Sequence, residues 1–176
     1  RLVSVSLSLR FALAKLESDP AGARAALAEA TDELALAHEE LRELARGLHP
    51  AVLTERGLRA AVEALAGRMP IPVETAGIPD ERLPEPVEAA AYYLIAEALT
   101  NVTKYARASN VRIRLAASDG TVVVEVSDDG VGGADPASGT GLRGLADRVE
   151  ALDGSLEVES PIGVGTSLRA ELPVEP

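Results

Sequence analysis

The sequence predicts an α+β protein in two parts. An antiparallel helical hairpin, expected to pair with a second hairpin into a dimerising four-helix bundle, is followed by an α/β sandwich with a mixed sheet and helices on one face. Three observations predict it. Residues 2–48 carry Leu and Ala at helical spacing on both sides of a turn cluster, and residues 71–172 mix strand-like runs with helices without strict alternation. Pro70 and Pro72 separate the two styles. The composition allows this division, since 176 residues at 47% hydrophobic and 26% charged suffice for one ordinary domain and a smaller appendage. Only 2% of the chain is aromatic, so aliphatic side chains must fill the core.

In the first helix Leu2, Val5, Leu9, Ala12 and Leu16 recur at steps of three and four, which gathers them on one face. Residues 18–22, SDPAG, form the turn. The second helix runs from about Ala23 to Leu48, with Leu27, Leu34, Leu41 and Leu48 spaced by seven and Ala30, Ala37 and Leu44 beside them. Each apolar stripe is too narrow for a domain of its own, and the heptads suggest pairing with a second copy. Residues 57–69, GLRAAVEALAGRM, read as a connecting helix. The expected division is therefore 1–56 for the hairpin, 57–70 for the linker helix and 71–176 for the second domain. A strand is expected over 71–77, then a helix from about Pro84 to Arg107 with a proline in its first turn. Strands at 111–116 and 121–126 flank a Ser118–Gly120 hairpin signal. A Gly-rich loop over 130–141, a helix over 142–152, and strands at 155–159 and 166–172 complete the order.

A net charge of -11 argues against a direct nucleic-acid surface, which needs a clustered basic face. The absence of cysteine excludes disulfides and thiolate metal sites. No apolar run in these residues approaches the length of a membrane span, and none is expected to act as a signal peptide. The chain begins at Arg1 and not Met, so it is expected to be a piece of a longer protein.

Four segments concentrate the chemistry. Glu97, Asn101 and Lys104 fall at i, i+4 and i+7 and share a helix face. Two oxygen donors suit Mg²⁺, and the amine suits a phosphate; the same face also reads as a solvated polar stripe. Asp128-Asp129-Gly130-Val131-Gly132-Gly133 follows a strand, with a carboxylate able to accept from an exocyclic amine and glycines that bring backbone close to a ligand. Alone it reads first as a plain acidic turn. Gly139-Thr140-Gly141-Leu142-Arg143-Gly144 runs into a helix, whose free N–H groups can face an anion. It does not follow the first strand of a βαβ unit, which disfavours a dinucleotide fold. Gly163-Val164-Gly165-Thr166 is a tight turn between strands.

In this order and at these spacings the four segments resemble the N, G1, G2 and G3 boxes of the ATPase fold shared by histidine kinases, type II topoisomerases, heat-shock protein 90 and mismatch-repair ATPases. With the hairpin before it, the chain resembles the transmitter core of a sensor histidine kinase of the nitrate-sensor subclass. ELARGLHPAVLTERGL, residues 43–58, resembles the end of that subclass's second dimerisation helix. The resemblance implies that Asn101 holds Mg²⁺, that Glu97 binds a metal water or polarises the acceptor, and that Lys104 contacts phosphate. It implies that Asp128 reads the adenine amino group and that Gly130 and Gly132 shape its pocket. Gly139, Gly141 and Gly144 would form the lid over the phosphates, and Gly165 and Thr166 would close the base side. Tyr105 stands where the family often has His; its planar ring and hydroxyl are compatible with nucleotide binding, whereas a titrating imidazole is lost. The implied cofactors are ATP and Mg²⁺. The implied partners are a second copy and the receiver domain of a response regulator, with membrane attachment only through other parts of a parent protein and a cytoplasmic location. The alternative is an anti-sigma-type serine kinase on the same ATP fold, which would lack the hairpin.

The chain has two histidines. Pro50 biases His49 away from helical geometry, and no carboxylate adjoins it, so His49 reads as a helix exit rather than a phosphate acceptor. His38 is flanked by Glu39 and Glu40 but sits on the heptad seam. In the resembling subclass the acceptor lies on the first helix in a His-Asp pair, which places it upstream of Arg1. The expectation is a chain that binds ATP–Mg²⁺ and does not phosphorylate itself.

Overall fold

The computed structural model describes residues 9, 11–13, 15–16, 19–20, 22–28, 30–31, 50–118, 120–135 and 140–174. The chain divides into two compact units, Arg1–His49 and Pro50–Pro176. His38, His49 and Gly139 lie outside the described residues. In the first unit the described residues are helical on both sides of Asp19, whose carboxylate accepts from the Gly22 N–H at 2.9 Å and pairs with Lys15 at 3.2 Å. Ala12, Ala23, Ala26 and Ala30 are buried there, while Leu9, Phe11, Leu13, Leu16 and Leu27 are exposed, Leu13 by 72%.

The second unit opens with α1, Ala51–Ala66. Pro50 stands at its N-cap with fixed φ, and its carbonyl accepts from Leu53 and Thr54. The helix thus begins six residues before the expected linker helix. It is broken at Gly57, whose φ of 78° and ψ of 178° no helix contains. That φ is open to glycine at little cost. Strand β1, Val73–Ala76, leads to α2, Glu85–Asn101. Proline in its first turn and acidic Glu85 and Glu88 favour this start, since carboxylates complement the positive end of a helix.

The expected single helix to residue 107 is instead two conformations. At Asn101 the α-helix passes into a π turn, Val102–Ala106, ended by Arg107 in the left-handed region at φ 51°. Strands β2, Val111–Ser118, and β3, Thr121–Asp128, form the anticipated hairpin, each longer than expected. Helix α3, Thr140–Glu150, and strands β4, Ser155–Glu159, and β5, Thr166–Pro173, follow.

The sheet has five strands in the order β1-β2-β3-β5-β4, with β1 parallel to β2 and the other pairings antiparallel. It is the mixed sheet of the expected α+β sandwich. Alternation does the sorting: Val111, Ile113 and Leu115 of β2, Val122, Val124 and Val126 of β3, and Leu168, Ala170 and Leu172 of β5 face the helices and are buried. The opposite face carries Arg112 paired with Glu74, and Arg169 among Glu125, Glu157 and Glu171. Such exposed pairs contribute little to stability. The core is made by Leu58, Ala61 and Val62 of α1, Val87, Ala91, Leu94 and Ile95 of α2, and Leu145 and Val149 of α3. Burying a side chain such as Leu94 stabilises by roughly 1.5–3 kcal/mol, so α2, apolar along its core face, is the keel of the unit.

One acid departs from that apolar face. Glu88 is 1% exposed, and among the described residues it is the buried charged side chain. Arg82 grips it, with Nη2 at 2.8 Å from Oε2 and Nε at 3.0 Å from Oε1, and the Leu83 N–H donates to Oε1 at 3.1 Å. The loop before α2 is tied down a second time by Arg59, whose Nε lies 2.5 Å from Asp80 Oδ1 and whose Nη2 donates to the Ile78 carbonyl.

Candidate nucleotide site

Asp128 is the last residue of β3, in register with Val111 of β2 and Thr166 of β5. Three central strands therefore end or begin at its level. Gly130 N–H donates to Asp128 Oδ1 at 2.8 Å. The carboxyl is half-buried, and that burial holds it above the ordinary carboxylate range, against the lowering effect of the Gly130 and Thr166 N–H groups. A partly desolvated acceptor of this kind has free energy to gain from a donor brought by a ligand.

The glycines around it are imposed by space. A Cβ on Gly130 would strike the Ala106 carbonyl and lie 2.7 Å from Asp128 Oδ1. One on Gly132 would strike the Pro161 carbonyl, and one on Gly165 the Asp128 carbonyl. Gly132 and Gly165 also have φ of 64° and 109°. The two Gly-rich segments are laced together through the backbone: Gly133 N–H donates to the Ser160 carbonyl at 2.9 Å and Gly163 N–H to the Val131 carbonyl at 2.8 Å. Ser160 Oγ accepts from the Ala134 N–H at 2.9 Å and lies 2.9 Å from Thr166 Oγ1.

Asp129 performs a different task from its neighbour. It accepts from the Ser109 and Asn110 N–H groups at 2.7 and 2.9 Å and from the Ser109 hydroxyl at 2.5 Å. The Ser109 hydroxyl foremost, then the two N–H groups, holds its carboxyl down at about 2. With the Val131 N–H donating to the Ala106 carbonyl at 2.8 Å, this fastens the loop after β3 to the segment that leaves the π turn. Sequence reading assigned Asp129 no part, because its partners lie about twenty residues upstream and no local spacing announces them.

The helix side of the site is built otherwise. Glu97 and Asn101 are half-buried, one turn apart at the end of α2, while Lys104 and Tyr105 are exposed on the π turn. Gly141, in the first turn of α3, abuts Glu97: a Cβ there would overlap Oε1 and come within 2.9 Å of Cδ. The structure thus joins Glu97 to Gly141, and joins Gly130, Gly132, Gly165 and Thr166 around Asp128. Gly144 is half-buried on α3. Among the described residues no three His, Cys, Asp or Glu side chains cluster as a metal cage. A carboxylate and an amide oxygen fit Mg²⁺, which keeps several waters and takes most remaining ligands from nucleotide phosphates.

Residues 87–176 match the family described as histidine kinase-, DNA gyrase B-, and HSP90-like ATPase. The chain is 32% identical over 98% of its length to the sensor histidine kinase MctS of Rhizobium johnstonii, covering 40% of that protein. It is 31% identical over 77% of its length to the oxygen sensor histidine kinase NreB of Staphylococcus carnosus, covering 42% of it. The chain spans less than half the length of these relatives. Among solved structures, the histidine kinase domain of the blue-light activated histidine kinase EL346 from Erythrobacter litoralis superimposes with a TM-score of 0.55 at 29% identity, over 66% of this chain and 58% of that one.

Proposed function

The chain belongs to the histidine kinase-, DNA gyrase B- and HSP90-like ATPase family, and on that premise we propose that it is the catalytic core of a two-component sensor histidine kinase. It binds ATP–Mg²⁺ and passes the γ-phosphate to a histidine and from there to an aspartate of a response regulator. The observation that carries this reading is Asp128, a half-buried carboxylate at the end of a central strand whose glycine neighbours have no room for a side chain. An amine-bearing planar base is the ligand such a carboxylate suits.

In this reading Asp128 accepts from the adenine amine, and Gly130, Gly132, Gly165 and Thr166 shape the cavity for the ring. Lys104 neutralises phosphate, and Gly139, Gly141 and Gly144 belong to the lid. Asn101 holds Mg²⁺, while Glu97 orients a metal water or the acceptor histidine. Mg²⁺ bound with ATP supplies charge neutralisation on the transferring phosphoryl group. What the protein contributes is position and excluded water, the main sources of rate in phosphoryl transfer. The outward Leu9, Phe11, Leu13, Leu16 and Leu27 of the first unit support a homodimer, since large apolar side chains over buried alanines offer a surface for a second copy. No described helix is long and apolar enough to cross a membrane, and the kinase reading puts this core in the cytoplasm, anchored if at all by other parts of its parent.

Titration with a fluorescent ATP analogue and Mg²⁺ tests the site. Asp128→Asn turns the shared acceptor into an amide, and losing a hydrogen bond to a charged group should weaken binding about tenfold or more. Unchanged affinity would refute the adenine assignment. The same reading expects no acid-labile label on His49 after incubation with labelled ATP.

A further inference from the structure

Three features remote from Asp128 meet where α1 is broken. Gly57 departs from helical geometry, and a Cβ placed on it would lie 3.2 Å from Arg82 Cδ, so the arginine stem lies over the break. The same side chain sends Nη1 to the Thr54 carbonyl at 3.3 Å, in the turn before the break, and its Nε and Nη2 to Glu88. Glu88 is buried at 1% exposure, while the Arg82 side chain is 54% exposed.

A carboxylate buried this deeply needs a paired charge and hydrogen bonds, which Arg82 Nε and Nη2 and the Leu83 N–H supply. Arg82 reaches further. It converts a fixed anion in the core into an anchor for residues 51–56, the stretch that opens the second unit after Pro50. Leu53, 1% exposed, adds an apolar hold on the same stretch. Residues 58–66 are held by more of the core, through Leu58, Ala61 and Val62, where 51–56 has Leu53 alone among the fully buried side chains.

We propose that Arg82 and Glu88 form a strap across Gly57 that fixes the connecting segment 51–56 on the nucleotide-binding unit, as a positioning device separate from the nucleotide site. The arginine fork is what makes the strap, since it serves a carboxylate and a carbonyl at once. A lysine can neutralise Glu88 but cannot span both. The importance of this strap for phosphotransfer rests on the kinase reading; its hold on segment 51–57 does not.

Amide exchange followed by mass spectrometry on the whole chain tests it, together with melting and ATP-analogue titration. In Arg82→Lys and Arg82→Met, exchange over 51–57 should quicken about tenfold, with protection of 91–101 kept and nucleotide affinity within about twofold of the parent. Unchanged exchange over 51–57 in both variants overturns the proposal, as does an equal rise over 91–101, which would mark general loosening of α2. Arg82→Met leaves a buried anion uncompensated and can fail to fold; Arg82→Lys, which keeps the charge, then decides. A parent chain that binds no nucleotide would sink the kinase reading while leaving the exchange result to judge the strap.

Discussion

The loop wall around Asp128 and the helix wall from Glu97 to Tyr105 meet at the Ala106 carbonyl, yet they are held in different ways. The loop wall is laced by backbone: Gly133 to Ser160, Gly163 to Val131, Val131 to Ala106, and Asp129 to the Ser109–Asn110 turn. Its glycines allow no side chain where strand and loop touch. The helix wall presents side chains, and two of them, Lys104 and Tyr105, stand in solvent on a π turn. The difference assigns the cost of binding. A wall already ordered asks little more of its ligand, whereas each long side chain drawn in on the other wall costs about 0.5–1.5 kcal/mol in lost rotamers. On the proposed reading, base recognition is built in advance, and the phosphate half is completed by what it binds.

The hardest way to break that contrast is to put a methyl into the loop wall. Gly165→Ala meets two penalties at once, a φ of 109° and a Cβ overlapping the Asp128 carbonyl. Gly163→Ala meets only the first, since its φ is 81° but nothing lies within 4 Å of its Cβ. Strain and overpacking together should cost about 3 kcal/mol at Gly165 against about 1 kcal/mol at Gly163. The check is a melting curve and an ATP-analogue titration for both: Gly165→Ala should lose most binding and Gly163→Ala little. Equal losses would mean the turn is governed by backbone strain and not by contact with Asp128.

A smaller effect sharpens the role of the rivet beside it. Asp129 has a folded-state value of about 2 against an ordinary 3.8. A lowered carboxylate contributes stability above its unfolded value and loses it as pH falls through its folded value. Asp129→Asn should therefore melt a few degrees below the parent at neutral pH, with the gap closing between about pH 4 and pH 2. A gap of constant size across that window would show that the carboxylate's charge is not what fastens Ser109 and Asn110.

The sheet, its hairpins and the four motif segments were legible because each rests on local pattern: alternation in β2 and β3, and glycine runs at turns. The α-to-π switch at Asn101 was not, since both conformations keep Val102 and Ala106 on the apolar side. The break at Gly57 was hidden for a related reason, a helical pattern on both sides of it with Pro50 as the true start. Asp129 and Ser109 are joined across the fold, and only the β3 turn brings them together. Glu88 did leave a trace, an acid inside the apolar run VEAAA. Its partner in a loop six residues earlier follows no helical spacing. The glycines were legible as glycines, but which neighbour excludes each Cβ is a property of the assembled loops.

The weakest perturbation of the helix wall bears most directly on the departure at position 105. Tyr105 is 69% exposed, and the π turn carries it beside Lys104 with no part in the lacing of the loops. Exchanging one planar ring for another there leaves the core and the loop wall untouched. Tyr105→His should accordingly keep ATP-analogue affinity within about twofold near pH 8, where the imidazole is neutral. As pH falls toward 6, a cation is introduced near the phosphate half, and affinity in the variant should rise relative to the parent. Both parts follow from a helix wall that is completed by its ligand. If the variant instead loses affinity more than about tenfold at pH 8, the tyrosine hydroxyl is itself a contact, and the helix wall is as prebuilt as the loop wall it was set against.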